Sequence, residues 1–169
     1  MTIAEGLLAE FEQELLATRR CLERVPEDKL GWQPHAKSMT LGQLAIHTAT
    51  TPSGVLEMVL KDDVPLPSWE GAPPTVTTKA ELLKAVEDGA EYVRAELPKV
   101  DDVRMLAEWR VLKGDQPVIC LPRVAFIRSI MFNHWYHHRG QLTVYLRECG
   151  VEVPSVYGPS ADEVPDFLK

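Results

Sequence analysis

Apolar side chains recur at steps of three and four residues over three stretches of the chain, which is the spacing of one face of an α-helix. These stretches predict helices over residues 3 to 24, about 40 to 60, and 78 to 97. Each stretch opens with a capping-box pair, a threonine followed three residues later by Glu or Gln. The pairs are Thr2 with Glu5, Thr40 with Gln43, and Thr78 with Glu81.

A fourth and longest helix is predicted over about 122 to 149. Pro122 suits the first position of a helix, and Gly150 suits the residue that follows a last turn. Before this helix, strand-like runs over 109–112 and 118–120 flank a turn-forming segment. They predict a short β-hairpin or an extended loop.

Proline interrupts the pattern in two places. Residues 62–77 include four prolines, so we expect no regular element there but a crossover between helices or a lid. The tail from Val151 onward is predicted to be non-helical and to dock through Val156, Tyr157 and Phe167.

Four helices, one long loop and at most a short hairpin predict an all-α fold. The arrangement we expect is an antiparallel four-helix bundle with a long crossover connection. A length of 169 residues corresponds to about one domain, so residues 1–169 are treated as a single domain.

Composition narrows the function classes. The 18 Lys and Arg against 25 Asp and Glu leave a net charge of −7, which disfavours binding to a phosphate backbone. No apolar run approaches the ~18 residues of a membrane span, and three widely spaced cysteines indicate neither a disulfide framework nor a metal knuckle. We therefore expect a cytoplasmic protein that binds neither nucleic acid nor membranes.

Histidines provide the candidate chemistry. His134 and His138 are one helical turn apart, so both imidazoles lie on one helix face and can meet one metal ion. His47 lies in the inward stripe of the second helix and could supply a third nitrogen. Three neutral imidazoles would leave one coordination position open for water or substrate.

Alternative interpretations exist for each histidine. A single histidine on a helix is more often a hydrogen-bonded structural residue, but three in one buried layer would repel each other when protonated. A divalent metal would satisfy all three at once. By spacing alone, His137 is nearly as good a partner for His134 as His138 is, and His35 is interpreted as a surface residue.

The ordered set of motifs resembles the DinB/YfiT-like four-helix family. The run over 132–142, FNHWYHHRGQL, is similar to the family signature on its last long helix. The Trp32–Pro34 segment, Ser38 and the Leu44-x-x-His47 step resemble family segments in the same order, and residues 154–163 resemble its tail. The resemblance covers most of the chain, with the middle third matching in element type only.

The resemblance implies that His47, His134 and His138 bind a divalent metal and that His137 does not. It also implies a class of activity, because better understood members are thiol-dependent transferases and isomerases that use bacillithiol, mycothiol or glutathione. We therefore expect a metal-dependent enzyme that transfers a thiol or acts on small electrophiles, with zinc or nickel as the metal. No catalytic residue is assigned.

Other residues and functions stay open. Arg139 could bind the carboxylate of a thiol cofactor, although a surface or interhelical salt bridge is its simpler interpretation. Gln43 or Gln141 could orient a ligand, and Trp69 could form the mouth of a pocket. The alternatives to a thiol transferase are a metal-dependent hydrolase, a non-catalytic metal-bearing domain for stress response or ligand binding, and a helical interaction module without metal. A homodimer is a reasonable assembly.

Overall fold

The computed structural model describes residues 1–68, 73–165 and 168. Most of these residues are helical, and they include a small three-stranded sheet. In chain order the elements are α1 Ile3–Glu23, α2 Leu41–Val59, β1 Asp63–Pro65, α3 Lys79–Glu96, α4 Asp102–Leu106, β2 Glu108–Lys113, β3 Gln116–Pro122, α5 Arg123–Phe126 and α6 His134–Glu148. Seven π-helical residues, Ile127–Asn133, join α5 to α6.

The three predicted capping boxes are confirmed, and each opens its predicted helix. The Thr2 hydroxyl accepts a hydrogen bond from the Glu5 backbone N–H at 3.1 Å, and the Glu5 carboxylate accepts one from the Thr2 N–H at 2.7 Å. The same reciprocal pair forms at the starts of α2 and α3. Because these bonds satisfy backbone donors that a first helical turn leaves free, the local sequence fixes where the helices begin.

The predicted inward stripes form one apolar core. On α1 the buried stripe includes Leu7, Phe11 and Leu22, and it packs towards α3. Helix α2 packs against both α3 and α6, so it is central to the helical layer. The antiparallel four-helix arrangement stays a prediction. Among the helices of the described residues, none has an apolar stretch long enough to cross a bilayer.

The all-α prediction is wrong in one respect, because a sheet is present. The predicted hairpin is confirmed, with β2 antiparallel to β3. Strand β1, within the segment expected to contain no regular element, pairs in parallel with β2. The Asp63 carboxylate accepts two hydrogen bonds of 2.8 Å from the Arg110 guanidinium across this pair, and Trp109 and Val111 bury their side chains in the core. A short parallel pairing of this kind depends on residues far apart in sequence, so hydrophobic periodicity does not reveal it.

The segment before the hairpin also contains the short helix α4, which the sequence analysis did not predict. The Asp101 side chain accepts from the Arg104 N–H at 2.7 Å and caps its start. The helix spans only five residues, which is too short to produce a periodic pattern.

The last long helix ends as predicted, but Pro122 is the N-cap of α5 rather than its first residue, and a π-helical segment divides the predicted helix into α5 and α6. Pro122 precedes the first turn of α5, and α6 ends at a Schellman motif. In this motif the Gly150 N–H donates to the Arg147 carbonyl and the Val151 N–H donates to the Leu146 carbonyl, both at 2.9 Å. Gly150 has φ +75, a conformation that glycine adopts without steric cost.

The tail after Val151 docks mainly through polar contacts. Val156 packs against the core as predicted, but Tyr157 leaves most of its surface exposed while its hydroxyl donates to Glu14 at 2.8 Å. Farther along, Glu163 pairs with Arg24 at 2.7 Å. Phe167, the third predicted docking residue, lies outside the described residues.

Candidate metal centre

His47 lies in the middle of α2, at the edge of its buried face. Leu44 and Thr48 on either side are buried, and the His47 side chain is half-buried. The Thr51 hydroxyl donates to the His47 carbonyl at 2.6 Å. The predicted buried face of α2 is therefore confirmed. The His47 imidazole lies at the edge of that face rather than within the core.

A proline inside α2 determines how α6 docks beside His47. Pro52 has no backbone N–H, so the carbonyl of Thr48 one turn earlier lacks its usual helical donor. The indole N–H of Trp135 supplies that donor, with a distance of 2.9 Å to the Thr48 oxygen. Trp135 is buried and neighbours His134 in the chain. The bond therefore fixes the first turn of α6 against the middle of α2.

The π-helical segment lies immediately before this first turn. Its seven residues, Ile127–Asn133, lead directly into His134. A π-turn widens the helix and changes the rotational phase of the residues that follow. The direction in which α6 presents its histidines therefore depends on this irregular segment as well as on the Trp135 contact.

The three predicted imidazoles converge. One ring nitrogen from each of His47, His134 and His138 lies within 4.8 Å of the other two. The ring centre of His47 is 5.2 Å from that of His134 and 4.4 Å from that of His138. The Nε2 atoms of His134 and His138 face each other at 2.5 Å. We call these three residues the histidine cluster.

Gln141 orients one member of the histidine cluster. Its side-chain oxygen lies 2.8 Å from Nδ1 of His138, one turn earlier on α6. An amide oxygen only accepts hydrogen bonds, so Nδ1 carries the proton and donates it. Nε2 of His138 then keeps its lone pair on the side that faces the other two rings. This is the arrangement that an imidazole needs to bind a metal.

Burial keeps the histidine cluster uncharged. It lowers the pKa of His47 and of His134, and the charge of a neighbouring histidine lowers each further. For His138, burial is the largest cause, opposed by the Gln141 hydrogen bond and reinforced by the other imidazoles, and its pKa falls to about 4. Neutral imidazoles with free lone pairs are metal ligands, so the donor set fits a divalent ion.

The other two histidines lie outside the histidine cluster. His137 is exposed, and its ring centre is 5.0 Å from that of His138, with its side chain on the solvent side. His35 is exposed as predicted, and its Nδ1 accepts from the Lys37 backbone N–H at 3.1 Å. Spacing left His137 and His138 equivalent, and the rotation of α6 brings His138 rather than His137 to the other two imidazoles.

Arg139 faces away from the histidine cluster. Its guanidinium donates to the Glu14 carboxylate at 2.6 Å and to the Thr18 hydroxyl at 3.2 Å, and it also contacts the Tyr157 hydroxyl. Only 1% of the residue is exposed. The structure thus confirms the simpler interpretation of Arg139, an ion pair between two helices. Because the side chain is buried, a ligand cannot reach it in this arrangement.

Two further residues, Gln43 and Trp69, were considered as parts of a ligand site. Gln43 forms the capping box of α2, which confirms its structural interpretation. Trp69, considered as the mouth of a pocket, lies outside the described residues. The sequence analysis missed the hydrogen bond from Trp135 to the Thr48 carbonyl that Pro52 leaves free. The available signal was a proline in the interior of a predicted helix, which leaves one carbonyl in need of a donor from elsewhere.

Fold and site together define a mainly helical protein with a three-imidazole cluster between two long helices. The chain belongs to the DinB family, whose sequence pattern matches residues 1–165. This confirms the resemblance found in the sequence motifs.

Individual relatives agree with the family assignment. The chain is 25% identical over 170 residues to the Bacillus subtilis protein YrdA, described as uncharacterized, covering 96% of this chain and 93% of that one. A DinB-like protein from Bacillus cereus superposes with a TM-score of 0.71 at 26% identity, over 92% of this chain and 98% of the other. The DinB-like protein YjoA of Bacillus subtilis has a TM-score of 0.67 at 18% identity, over 96% of both chains, and supports the fold alone.

Proposed function

We propose that the protein is a divalent-metal-dependent enzyme that acts on small molecules, with transfer of a thiol to an electrophile as its reaction type. The observation that carries the proposal is the convergence of His47, His134 and His138, with one nitrogen of each within 4.8 Å of the others. Zinc or nickel is the proposed ion, because imidazole suits both.

Each residue of the site has a part in this proposal. The three imidazoles hold the ion, and Gln141 keeps His138 in the tautomer that binds it. Trp135 and Pro52 hold α6 against α2, so the ligands from the two helices meet. A divalent ion bound there supplies Lewis-acid chemistry, which lowers the pKa of a coordinated thiol or water.

A hydrolase of the metallopeptidase type is less well supported. Such an enzyme uses a carboxylate as general base, commonly the residue that follows the first histidine of the metal-binding helix. Here that residue is Trp135, and its indole is bonded to Thr48. Among the described residues, the side chains that converge to form the proposed metal site are three imidazoles, without a carboxylate. A thiol bound to the ion would be ionised by the metal itself, so it would need no carboxylate of this kind.

The proposal also covers the domain organisation, the cellular location and the assembly of the protein. A single domain over residues 1–169, an antiparallel bundle of the long helices, a cytoplasmic location and a homodimer are all part of it. A non-catalytic metal-bearing domain is the alternative, in which the ion only ties α2 to α6. An exchangeable ligand on the bound ion distinguishes the enzyme from this alternative.

Metal analysis of two matched variants tests the ligand assignment. Zinc is added to the purified protein, unbound ion is removed, and the metal content per chain is measured by mass spectrometry. We expect about one ion per chain for the unaltered protein and for His137→Ala, and far less for His134→Ala. The reason is that His134 belongs to the histidine cluster and His137 does not. Loss in His137→Ala with retention in His134→Ala would contradict the assignment.

A further inference from the structure

A small cavity lies against α2 beside the histidine cluster. Its volume is about 50 Å³. Successive turns of α2 line it with Gln43, Ile46, His47 and Thr50, and the Pro73–Pro74 pair lines it from the long loop. His47 belongs to both the cavity wall and the histidine cluster, so the two share this imidazole.

Two polar side chains of this wall already make hydrogen bonds within the protein. The Gln43 side-chain oxygen accepts from the Thr40 N–H at 2.9 Å, and the Thr50 hydroxyl donates to the Ile46 carbonyl at 2.9 Å. Met39 completes the lining with a thioether. Of the described residues that line the cavity, none is an acid, a lysine or an arginine. A wall of this kind favours an uncharged, apolar group.

The loop side of the cavity is held close to α2. The Gly42 N–H donates to the Leu30 carbonyl at 2.9 Å. A Cβ added at Gly42 would lie 3.2 Å from that carbonyl oxygen and 3.0 Å from the hydroxyl of Thr75, which directly follows the proline pair. Glycine therefore permits Thr75, and with it the loop, to approach the start of α2.

The size of the cavity limits the shape of its ligand. A volume of about 50 Å³ is small beside the ~300–1,000 Å³ of a pocket that encloses a whole ligand, so the cavity can take only a short, narrow part of one. A narrow chain of methylene groups fits such a space, whereas a carbon bearing three branches does not. Pro73 and Pro74 are exposed, so the far end of a longer ligand has access to solvent.

We infer that this cavity binds the unbranched, uncharged arm of a ligand whose sulfur is bound by the metal at the histidine cluster. Ile46 and the Pro73–Pro74 pair then select against branching next to the sulfur atom. The inference rests on the proposed function, and it adds the shape and polarity of the thiol that the site accepts.

Thiol binding to the cobalt-loaded protein tests the inference without any need for turnover. Co²⁺ replaces the proposed ion, and the charge-transfer absorption of a cobalt–thiolate bond in the near ultraviolet reports binding. Titrations with n-propanethiol and tert-butanethiol give the ratio of their dissociation constants. We expect n-propanethiol to bind at least about tenfold more tightly, because a rigid apolar pocket discriminates by about this factor for each misplaced methyl group.

A variant with a wider cavity provides the second measurement. Ile46→Ala should bring the ratio for the two thiols close to one, while Ile119→Ala, the same change on β3, should leave it unaltered. Ile46→Val serves where the alanine variant does not fold, with a smaller change in the same direction. Comparing the ratio of each variant with the ratio of the unaltered protein removes the intrinsic difference in metal affinity between the two thiols.

The outcomes separate the two proposals. Failure of the protein to bind cobalt, or equal cobalt binding by His134→Ala, would overturn the proposed metal site together with this inference. Cobalt bound at the histidines with equal affinity for both thiols, or a ratio that Ile46→Ala leaves unchanged, would overturn the cavity inference alone.

Discussion

Gln141 lies outside the histidine cluster but contacts one of its members. Its effect on metal binding can be measured separately from any effect on folding. Its side chain is exposed, and its contact with His138 is one hydrogen bond to the ring nitrogen opposite the cluster. Partners of this kind fix the tautomer of a ligating histidine without touching the ion. Their loss changes metal affinity more than it changes folding.

Replacing Gln141 with leucine should weaken zinc binding by about tenfold, the lower end of the effect seen for such partners. Competition with a chromophoric chelator measures the affinity. The unfolding free energy of the metal-free protein should change by less than about 0.5 kcal/mol, because the side chain is exposed.

Two companion variants give this prediction its controls. Gln141→Glu keeps an accepting oxygen and should retain tight binding. Gln13→Leu makes the same change at an exposed position of α1, away from the site, and should have no effect on affinity. Equal weakening by the leucine and glutamate variants would argue against the role assigned to the hydrogen bond.

At the scale of elements, the contact between α2 and α6 depends on a helix irregularity in each. Pro52 leaves the Thr48 carbonyl without its helical donor, and the π-helical segment Ile127–Asn133 precedes the turn that carries Trp135. The indole N–H then bonds to the Thr48 oxygen in the buried interface. An interior proline, which usually weakens a helix, here provides the acceptor that positions a second helix.

A double-mutant cycle measures this coupling. Trp135→Phe alone leaves a buried carbonyl without a donor, and we expect a loss of about 1–3 kcal/mol in the free energy of unfolding. In a Pro52→Ala background, a backbone N–H at position 52 can bond to the Thr48 oxygen. The cost of Trp135→Phe should therefore be smaller there by about 1 kcal/mol.

Urea denaturation of the four metal-free proteins gives the coupling energy. Strictly additive effects of the two substitutions would contradict the proposed relation between Pro52 and Trp135. Metal affinity should also fall in Trp135→Phe, because the same contact orients the helix that carries His134 and His138.

At the scale of the whole molecule, a buried ion pair joins α1, α6 and the tail. Arg139 and Glu14 are both almost inaccessible, with side-chain exposures of 2% and 9%, and Tyr157 from the tail bonds to both. A buried pair of this kind contributes specificity of arrangement more than net stability. It holds Arg139 on the part of α6 that faces α1, about 100° around the helix from the neighbouring His138.

Metal removal tests whether the proposed site contributes to the stability of the molecule. An ion that binds only the folded chain stabilises it by about 2.7 kcal/mol at a hundredfold excess over the dissociation constant. For a protein of this size we therefore expect a chelator to lower the melting temperature of zinc-loaded protein by about 5–10 °C. Differential scanning calorimetry measures the shift.

The His134→Ala variant serves as the control, and its melting temperature should be insensitive to the chelator. An unchanged melting temperature of the unaltered protein after complete removal of zinc would mean that the ion does not bind the folded chain tightly.

Features that depend on neighbouring residues could be predicted from the chain alone. The three capping boxes, the inward stripes and the Gly150 cap each involve groups within about one helical turn, so their chemistry can be recognised from the sequence alone. The hairpin was also predictable, because its strands are adjacent in the chain. For the same reason, the spacing of His134 and His138 already placed them on one face of a helix.

Features that join distant parts of the chain became visible only in the folded molecule. The parallel pairing of β1 with β2, the Arg139–Glu14 pair and the convergence of His47 with the histidines of α6 all depend on how separate elements dock. Docking follows from side-chain packing and from hydrogen-bond needs such as that of the Thr48 carbonyl. These contacts leave no regular period in the sequence, because the partners are far apart along the chain.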